Sequence, residues 1–227
     1  MSDASVRIKV CGLTRPADAL ACASAGADWI GLNFHPGSPR CIAPGLAAEI
    51  IATLPITASA VGIFVDRSPA EVVELADRLG LRIVQLHGQE PPDDLAALCH
   101  LRVIRAFRLG DAEDVARMVR YLRRADELGR PPDAVLIDSL VPGRAGGSGH
   151  AIEADLLSLI PSLPRLILAG GLTPENVADR IERVRPWMVD VASGVESAPG
   201  LKDPARVNAF IKAARPRPAD LSPLDHS

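Results

Sequence analysis

A cysteine, an aspartate and a histidine stand at the ends of short apolar runs: Cys11 in Lys9-Val10-Cys11-Gly12-Leu13-Thr14, Asp138 in Leu136-Ile137-Asp138-Ser139, and His87 in Gln85-Leu86-His87-Gly88. They supply a thiol, a carboxyl and an imidazole, the groups that proton-transfer chemistry uses. Residues 6–11 alternate with period two, so Arg7, Lys9 and Cys11 share one face while Val6, Ile8 and Val10 share the other. Lys9 is therefore placed to favour the Cys11 thiolate. His87 has two readings, as an acid or base in its own right or as a wall residue that only hydrogen-bonds.

These ends can meet only if the runs that carry them are strands of one sheet. Apolar runs at 6–11, 28–34, 58–65, 81–86, 101–107, 134–137, 165–169 and 188–191 read as strands. Segments 17–27, 46–54, 69–79, 92–99, 111–128, 152–159 and 204–214 read as helices, with one more opening at Thr173-Pro174-Glu175-Asn176. Ser68-Pro69-Ala70-Glu71 has the makings of a capping box with proline at the first helical position, and Gly80 stops that helix. Eight strand–helix pairs with short connections predict a closed α/β fold, a single (β/α)8 TIM barrel over 1–214, followed by a proline-rich tail at 215–227. That tail is expected to be mobile. An open Rossmann-like sheet is the runner-up, but no Gly-x-Gly-x-x-Gly follows the first strand.

In a barrel the carboxyl ends of all strands ring one mouth. Those ends read Cys11, Asn33, Asp66, His87, Arg108, Asp138, Gly170-Gly171 and Ser193-Gly194, so Cys11 and Asp138 would face each other across it. Asp66 and Arg108 can equally be plain exposed strand ends. Closure would also set Lys9 on the first strand beside Asp190 on the eighth, as an interior ion pair.

Composition narrows the function. With 48% apolar residues and a mean hydropathy of +0.16, the 227-residue chain can bury a sizeable core, built from Val, Ile, Leu and Ala because aromatics are only 3%. A net charge of -3 offers no basic field for nucleic acid. No apolar run approaches the ~18 residues that would cross a bilayer, and Met1-Ser2-Asp3-Ala4-Ser5 lacks the start of a secretory leader, so a cytoplasmic location is expected. Cys11, Cys22, Cys41 and Cys99 form no Cys-x-x-Cys pair, which argues against a disulfide framework and a metal site. Cys22 and Cys99 are expected in the core, on apolar helix faces.

Glycines mark a likeness to an anion cradle. Gly146-Gly147-Ser148-Gly149 follows the sixth strand, Gly170-Gly171 the seventh and Ser193-Gly194 the eighth, where barrels place a phosphate. No Lys or Arg lies within these segments, so backbone N–H groups of Gly147, Ser148, Gly149, Gly170, Gly171, Ser193 and Gly194 would hold it. Ser38-Pro39-Arg40 sets Arg40 over the mouth, where its planar guanidinium suits a two-pronged grip on a carboxylate.

Taken together in order, these motifs resemble the phosphoribosylanthranilate isomerase family. The likeness is carried by Lys9-Val10-Cys11-Gly12-Leu13-Thr14, Ser38-Pro39-Arg40, Gln85-Leu86-His87-Gly88, Leu136-Ile137-Asp138-Ser139, Gly146-Gly147-Ser148-Gly149 and Ala169-Gly170-Gly171-Leu172. Val189-Asp190-Val191-Ala192-Ser193-Gly194-Val195-Glu196 and Pro199-Gly200-Leu201-Lys202-Asp203 continue it, and the match runs from about residue 7 to about residue 213. Ala192 stands where that family usually has serine, and 151–156 lacks its usual aromatic pair.

The resemblance implies an Amadori rearrangement of N-(5-phosphoribosyl)anthranilate, a phosphorylated sugar–anthranilate, to 1-(2-carboxyphenylamino)-1-deoxyribulose 5-phosphate in tryptophan biosynthesis, with no cofactor and no metal. It implies Asp138 as the acid that opens the ribose ring and Cys11 as the base that removes the C2′ proton, with Lys9, Arg40, Gln85 and His87 among the substrate contacts. The pKa demands oppose each other: a free cysteine near ~8.5 must yield thiolate, and a free aspartate near ~3.9 must keep its proton. An apolar setting after Val135-Leu136-Ile137 would raise Asp138. Other readings remain: another sugar-phosphate barrel, thiamin-phosphate-synthase-like or epimerase-like, a non-catalytic phosphate-binding barrel, or a thiol redox sensor. Monomer and homodimer both stay open.

Overall fold

Strand follows strand in chain order around a closed parallel barrel in the computed structural model, which describes residues 5–138, 163 and 165–215. The strands are β1 (Arg7–Cys11), β2 (Trp29–Asn33), β3 (Ser59–Phe64), β4 (Ile83–Leu86), β5 (Arg102–Arg108), β6 (Ala134–Asp138), β7 (Leu166–Ala169) and β8 (Met188–Val191). Outside them lie α1 (Pro16–Ala25), α2 (Pro44–Thr53), α3 (Pro69–Leu79), α4 (Ala112–Glu127), α5 (Val177–Val184) and α6 (Pro204–Ala214). The expected TIM barrel is the fold.

Period-two alternation builds two apolar layers. Trp29, Val61, Ile83, Ile104, Leu136, Ile167 and Met188 form one buried cluster that fills the barrel, while Ile8, Val10, Ile30, Leu32, Val103 and Val189 belong to another that packs under the helices. The capping box forms at α3, where Ser68 Oγ accepts from the Glu71 N–H at 3.4 Å and the Ser68 N–H donates to Glu71 Oε2 at 3.0 Å. No helix among the described residues is long and apolar enough to cross a membrane.

Closure happens between β1 and β8, which pair in register Lys9↔Asp190. Below that seam Arg215, assigned to the tail on sequence, donates to the Val6 carbonyl at 2.5 Å and to the Gly26 carbonyl at 3.1 Å, and pairs with Asp28. Asp28 in turn accepts the Ile8 N–H at 2.7 Å.

Several local expectations need correction. Segment 92–99 is a 3-10 helix, Pro92–Leu98, because adjacent prolines Pro91 and Pro92 remove two backbone donors at its start. Its tighter period buries Leu95 and Leu98 and leaves Cys99 exposed, not in the core; Cys22 is buried as expected. The helix after β7 begins at Val177 and not at Thr173, since Asn176 Oδ1 accepts the Thr173 N–H at 2.8 Å and holds 173–176 as a turn. After β8 a 3-10 turn, Ser193–Val195, leads into a two-stranded hairpin, β9 (Glu196–Ala198) and β10 (Leu201–Lys202), that the strand count overlooked. The helix expected at 152–159 and the Gly146-Gly147-Ser148-Gly149 loop lie outside the described residues.

Candidate active site

Cys11 ends β1 on the same face as Lys9, and it is partly exposed at the barrel mouth. Gly31, opposite it in the β1–β2 register, makes the space: a Cβ on Gly31 would stand 2.9 Å from Cys11 Sγ, closer than real side chains come. Sequence reasoning passed over Gly31, because only the strand register shows which residue the thiol lies against.

Beneath the thiol, Lys9 is fully buried and its Nζ lies 2.8 Å from Asp190 Oδ2, so the expected interior ion pair forms. Lys9, expected among the substrate contacts, has no exposed surface here, and its ammonium is engaged by Asp190. Burial alone would depress the Lys9 pKa, yet the charges and hydrogen bonds of Asp190 and Cys11 outweigh it and leave the pKa raised above 10.5. The pair's contribution to stability is therefore whole below pH 10.5 and fades as pH climbs through the raised value. Removing one partner strands a buried charge, so Asp190→Asn is expected to cost about 3–5 kcal/mol in denaturant unfolding. Lys9→Met/Asp190→Leu should recover part of that loss, and a single variant as stable as the parent would contradict the pair's role.

The thiol itself does not behave as the sequence suggested. Burial is the largest influence and pushes the Cys11 pKa up; Lys9 and Lys202 pull it down without prevailing, and Asp190 adds to the rise. The resting group is a thiol whose thiolate, once formed, is a strong base.

Asp138 ends β6, in register with Arg108 on β5 and Ala169 on β7, and shares the inward face of Leu136. It is half-buried, and its carbonyl accepts the Leu109 N–H at 3.2 Å. Strand alternation thus turns Cys11 and Asp138 toward one mouth from β1 and β6.

Arg40 reaches the mouth from the loop after β2. Its Nε donates to Glu196 Oε1 at 2.8 Å and its Nη2 to Glu196 Oε2 at 2.5 Å, so the two-pronged face of the guanidinium is already matched to a carboxylate of this chain. Lys202 Nζ, almost wholly buried, joins the same carboxylate at 2.7 Å and the Ala192 carbonyl at 3.1 Å. Burial alone would raise Glu196, but the hydrogen bonds from Arg40 and Lys202 hold it below the usual carboxylate range. Glu196 and Lys202 belong to the β9–β10 hairpin, which also takes Thr14 Oγ1 on the Gly200 carbonyl at 2.6 Å and donates the Lys202 N–H to Asp18 at 3.2 Å. The hairpin binds the loops after β1 and β2 together around Cys11. The signal was present in Pro199-Gly200, a turn pair between short runs.

On the opposite wall, His87 follows β4 and Gln85 lies within it, buried beneath. The loop that carries His87 is anchored by Arg105, which donates to the Leu86 and Gly88 carbonyls at 2.9 Å each and pairs with buried Glu90 at 3.1 Å. Glu90 also accepts the N–H groups of Gly88 and Asp66, and Asp66 accepts the Gln89 N–H at 2.5 Å. Asp66 thus stitches two loops together. Arg108 stays exposed, close enough to His87 to act on its charge.

Of the glycine segments, Gly170-Gly171 closes β7 and Ser193-Gly194 follows β8, on adjacent strands. Gly147, Ser148 and Gly149 lie outside the described residues.

The chain is similar to known proteins. A family model described as N-(5′-phosphoribosyl)anthranilate (PRA) isomerase matches residues 8–213. The N-(5′-phosphoribosyl)anthranilate isomerase of Chlorobaculum parvum is 45% identical over 214 residues, covering 92% of this chain and 95% of that one. A crystal structure of phosphoribosyl anthranilate isomerase in complex with reduced 1-(o-carboxyphenylamino)-1-deoxyribulose 5-phosphate superposes with a TM-score of 0.77 at 35% identity, covering 92% of this chain and 98% of that one. Monomers generated from the dimeric phosphoribosylanthranilate isomerase of Thermotoga maritima give a TM-score of 0.76 at 34% identity over the same shares.

Proposed function

The chain belongs to the N-(5′-phosphoribosyl)anthranilate isomerase family, and from that premise we propose that Cys11 and Asp138 are the base and the acid of its reaction. The protein is an isomerase of tryptophan biosynthesis, converting N-(5′-phosphoribosyl)anthranilate to 1-(2-carboxyphenylamino)-1-deoxyribulose 5-phosphate. The observation that carries the assignment is the inward placement of a thiol and a carboxyl at the ends of β1 and β6. Asp138 protonates the ribose ring oxygen, the C1′–O bond breaks and a Schiff base forms; Cys11 then removes the C2′ proton, and the enolamine tautomerises to the aminoketose. Family membership favours this over the other sugar-phosphate barrels and the binding-only readings.

In this proposal the anthranilate carboxylate meets Arg40 on the guanidinium edge that Glu196 leaves open. The phosphate sits on the backbone of Gly170, Gly171, Ser193 and Gly194; Gly147, Ser148 and Gly149, the other residues expected to bind it from sequence, lie outside the described residues. A homodimer in solution is supported by the dimeric relative.

The direct test is the fluorescence of phosphoribosylanthranilate generated in situ. Its decay should accelerate in proportion to added protein without any added cofactor, and decay at the spontaneous rate would refute the assignment. The cradle has its own test at Gly171, where φ is +60°. Asparagine tolerates that conformation, so Gly171→Asn should raise KM about tenfold, equivalent to about 1.4 kcal/mol of binding, with kcat little changed. An unchanged KM in the folded variant would remove Gly171 from the phosphate site.

A further inference from the structure

His87 is neither free nor idle. Gln85 Nε2 lies 2.9 Å from His87 Nδ1, and an amide nitrogen can only donate, so Nδ1 is the acceptor and the neutral ring carries its proton on Nε2. His87 Nε2 has no hydrogen-bond partner among the described residues.

The charges around the ring agree with a neutral imidazole. Burial comes first, followed by Arg108 on β5, Lys9 on β1 and Arg105 on β5; together they bring the His87 pKa down to about 4. Glu90, three residues along the same loop, is paired with Arg105. An imidazole that is neutral at physiological pH, with its only basic lone pair held by an amide, can serve neither as a general acid nor as a general base.

We propose that Gln85 is a positioning residue that fixes His87 as the Nε2–H tautomer, and that His87 acts on the substrate as a neutral hydrogen-bond donor to a sugar oxygen. This rests on the acid–base reading of Cys11 and Asp138, because those two groups then carry the proton transfers and leave His87 to steady an oxygen whose charge changes when the ring opens. A donor fixed before the substrate arrives needs no reorganisation during the reaction.

Long-range ¹H–¹⁵N spectra of the labelled protein test the tautomer, with the His87 ring identified by its absence from His87→Gln. The expected pattern is an unprotonated Nδ1 and a protonated Nε2 that do not titrate between pH 5 and pH 8; a protonated Nδ1 or an imidazolium in that range overturns the proposal. Function is tested by a pair of variants. His87→Gln returns an N–H donor at the Nε2 position and should lose less than about tenfold in kcat/KM, whereas His87→Leu should lose about 10²-fold. Equal losses overturn the donor role. Gln85→Glu should draw the proton to Nδ1, lower kcat/KM by a similar factor and introduce a titration between pH 5 and pH 8 that the parent lacks; a folded variant with the parental rate and pH profile overturns the positioning role. If Cys11→Ser and Asp138→Asn turn over normally, the acid–base reading fails instead, whatever the His87 spectrum shows.

Discussion

Cys11→Ser is expected to lower kcat by about 10²–10⁴ at neutral pH while KM stays within a few-fold. Serine preserves the size and the fit against Gly31, so the fold should hold, but its hydroxyl yields almost no alkoxide where a thiol yields some thiolate. The parent's pH profile supplies the second half of the test. Because burial raises the Cys11 pKa above its ordinary value, the thiolate is a minority at neutrality, and its share grows about tenfold per pH unit below that pKa. With thiolate as the base, kcat/KM in the parent should climb with pH through the neutral range, and the climb should vanish in Cys11→Ser. A variant that turns over within a few-fold of the parent, or a parent whose rate is flat from pH 6 to pH 8, would remove Cys11 from the role of base.

Asp138→Asn should be equally damaging, about 10²–10⁴ in kcat, for the opposite reason. Asparagine keeps the shape at the end of β6 but has no acidic proton for the ring oxygen, so the sugar should stay closed and the Schiff base should not form. Affinity for the reduced product analogue should survive, since the proposed phosphate and carboxylate contacts lie on other loops. A loss of affinity as large as the loss of rate would mean that Asp138 binds the substrate and does not protonate it.

Much of this site was legible before any coordinates. Strand ends are conspicuous when a period-two run stops at Gly12 or at Gly88, and a parallel barrel must bring such ends together, which is why Cys11, His87 and Asp138 could be grouped although far apart in the chain. The β1–β8 ion pair was legible for the same reason, because closure sets Lys9 in register with Asp190 across the seam. What escaped depends on three-dimensional neighbours that no local pattern encodes. Glu196 and Lys202 stood in the sequence only as members of longer motifs, yet Glu196 fills the fork of Arg40 and Lys202 pairs with the same carboxylate. The Cys11 pKa was read from Lys9 alone, while burial, which a one-dimensional reading cannot weigh, is the larger influence. Gln85 read as one more substrate contact, and only its 2.9 Å distance to Nδ1 reveals it as the residue beneath the imidazole.

The β1–β8 seam has a consequence for how the enzyme comes into being on the ribosome. Cys11 leaves the exit tunnel among the first residues, but its ammonium neighbour finds Asp190 only 181 positions later, and Arg215 fastens the first strand later still. Contacts of such sequence separation form slowly, since a long loop must close before either partner gains anything. Until translation has passed the hairpin at 196–202, Arg40 lacks Glu196, its partner beside the loop after β1. The closed barrel therefore arrives only with the last strand and helix, and a polypeptide that stalls short of Asp190 leaves Lys9 without its interior partner.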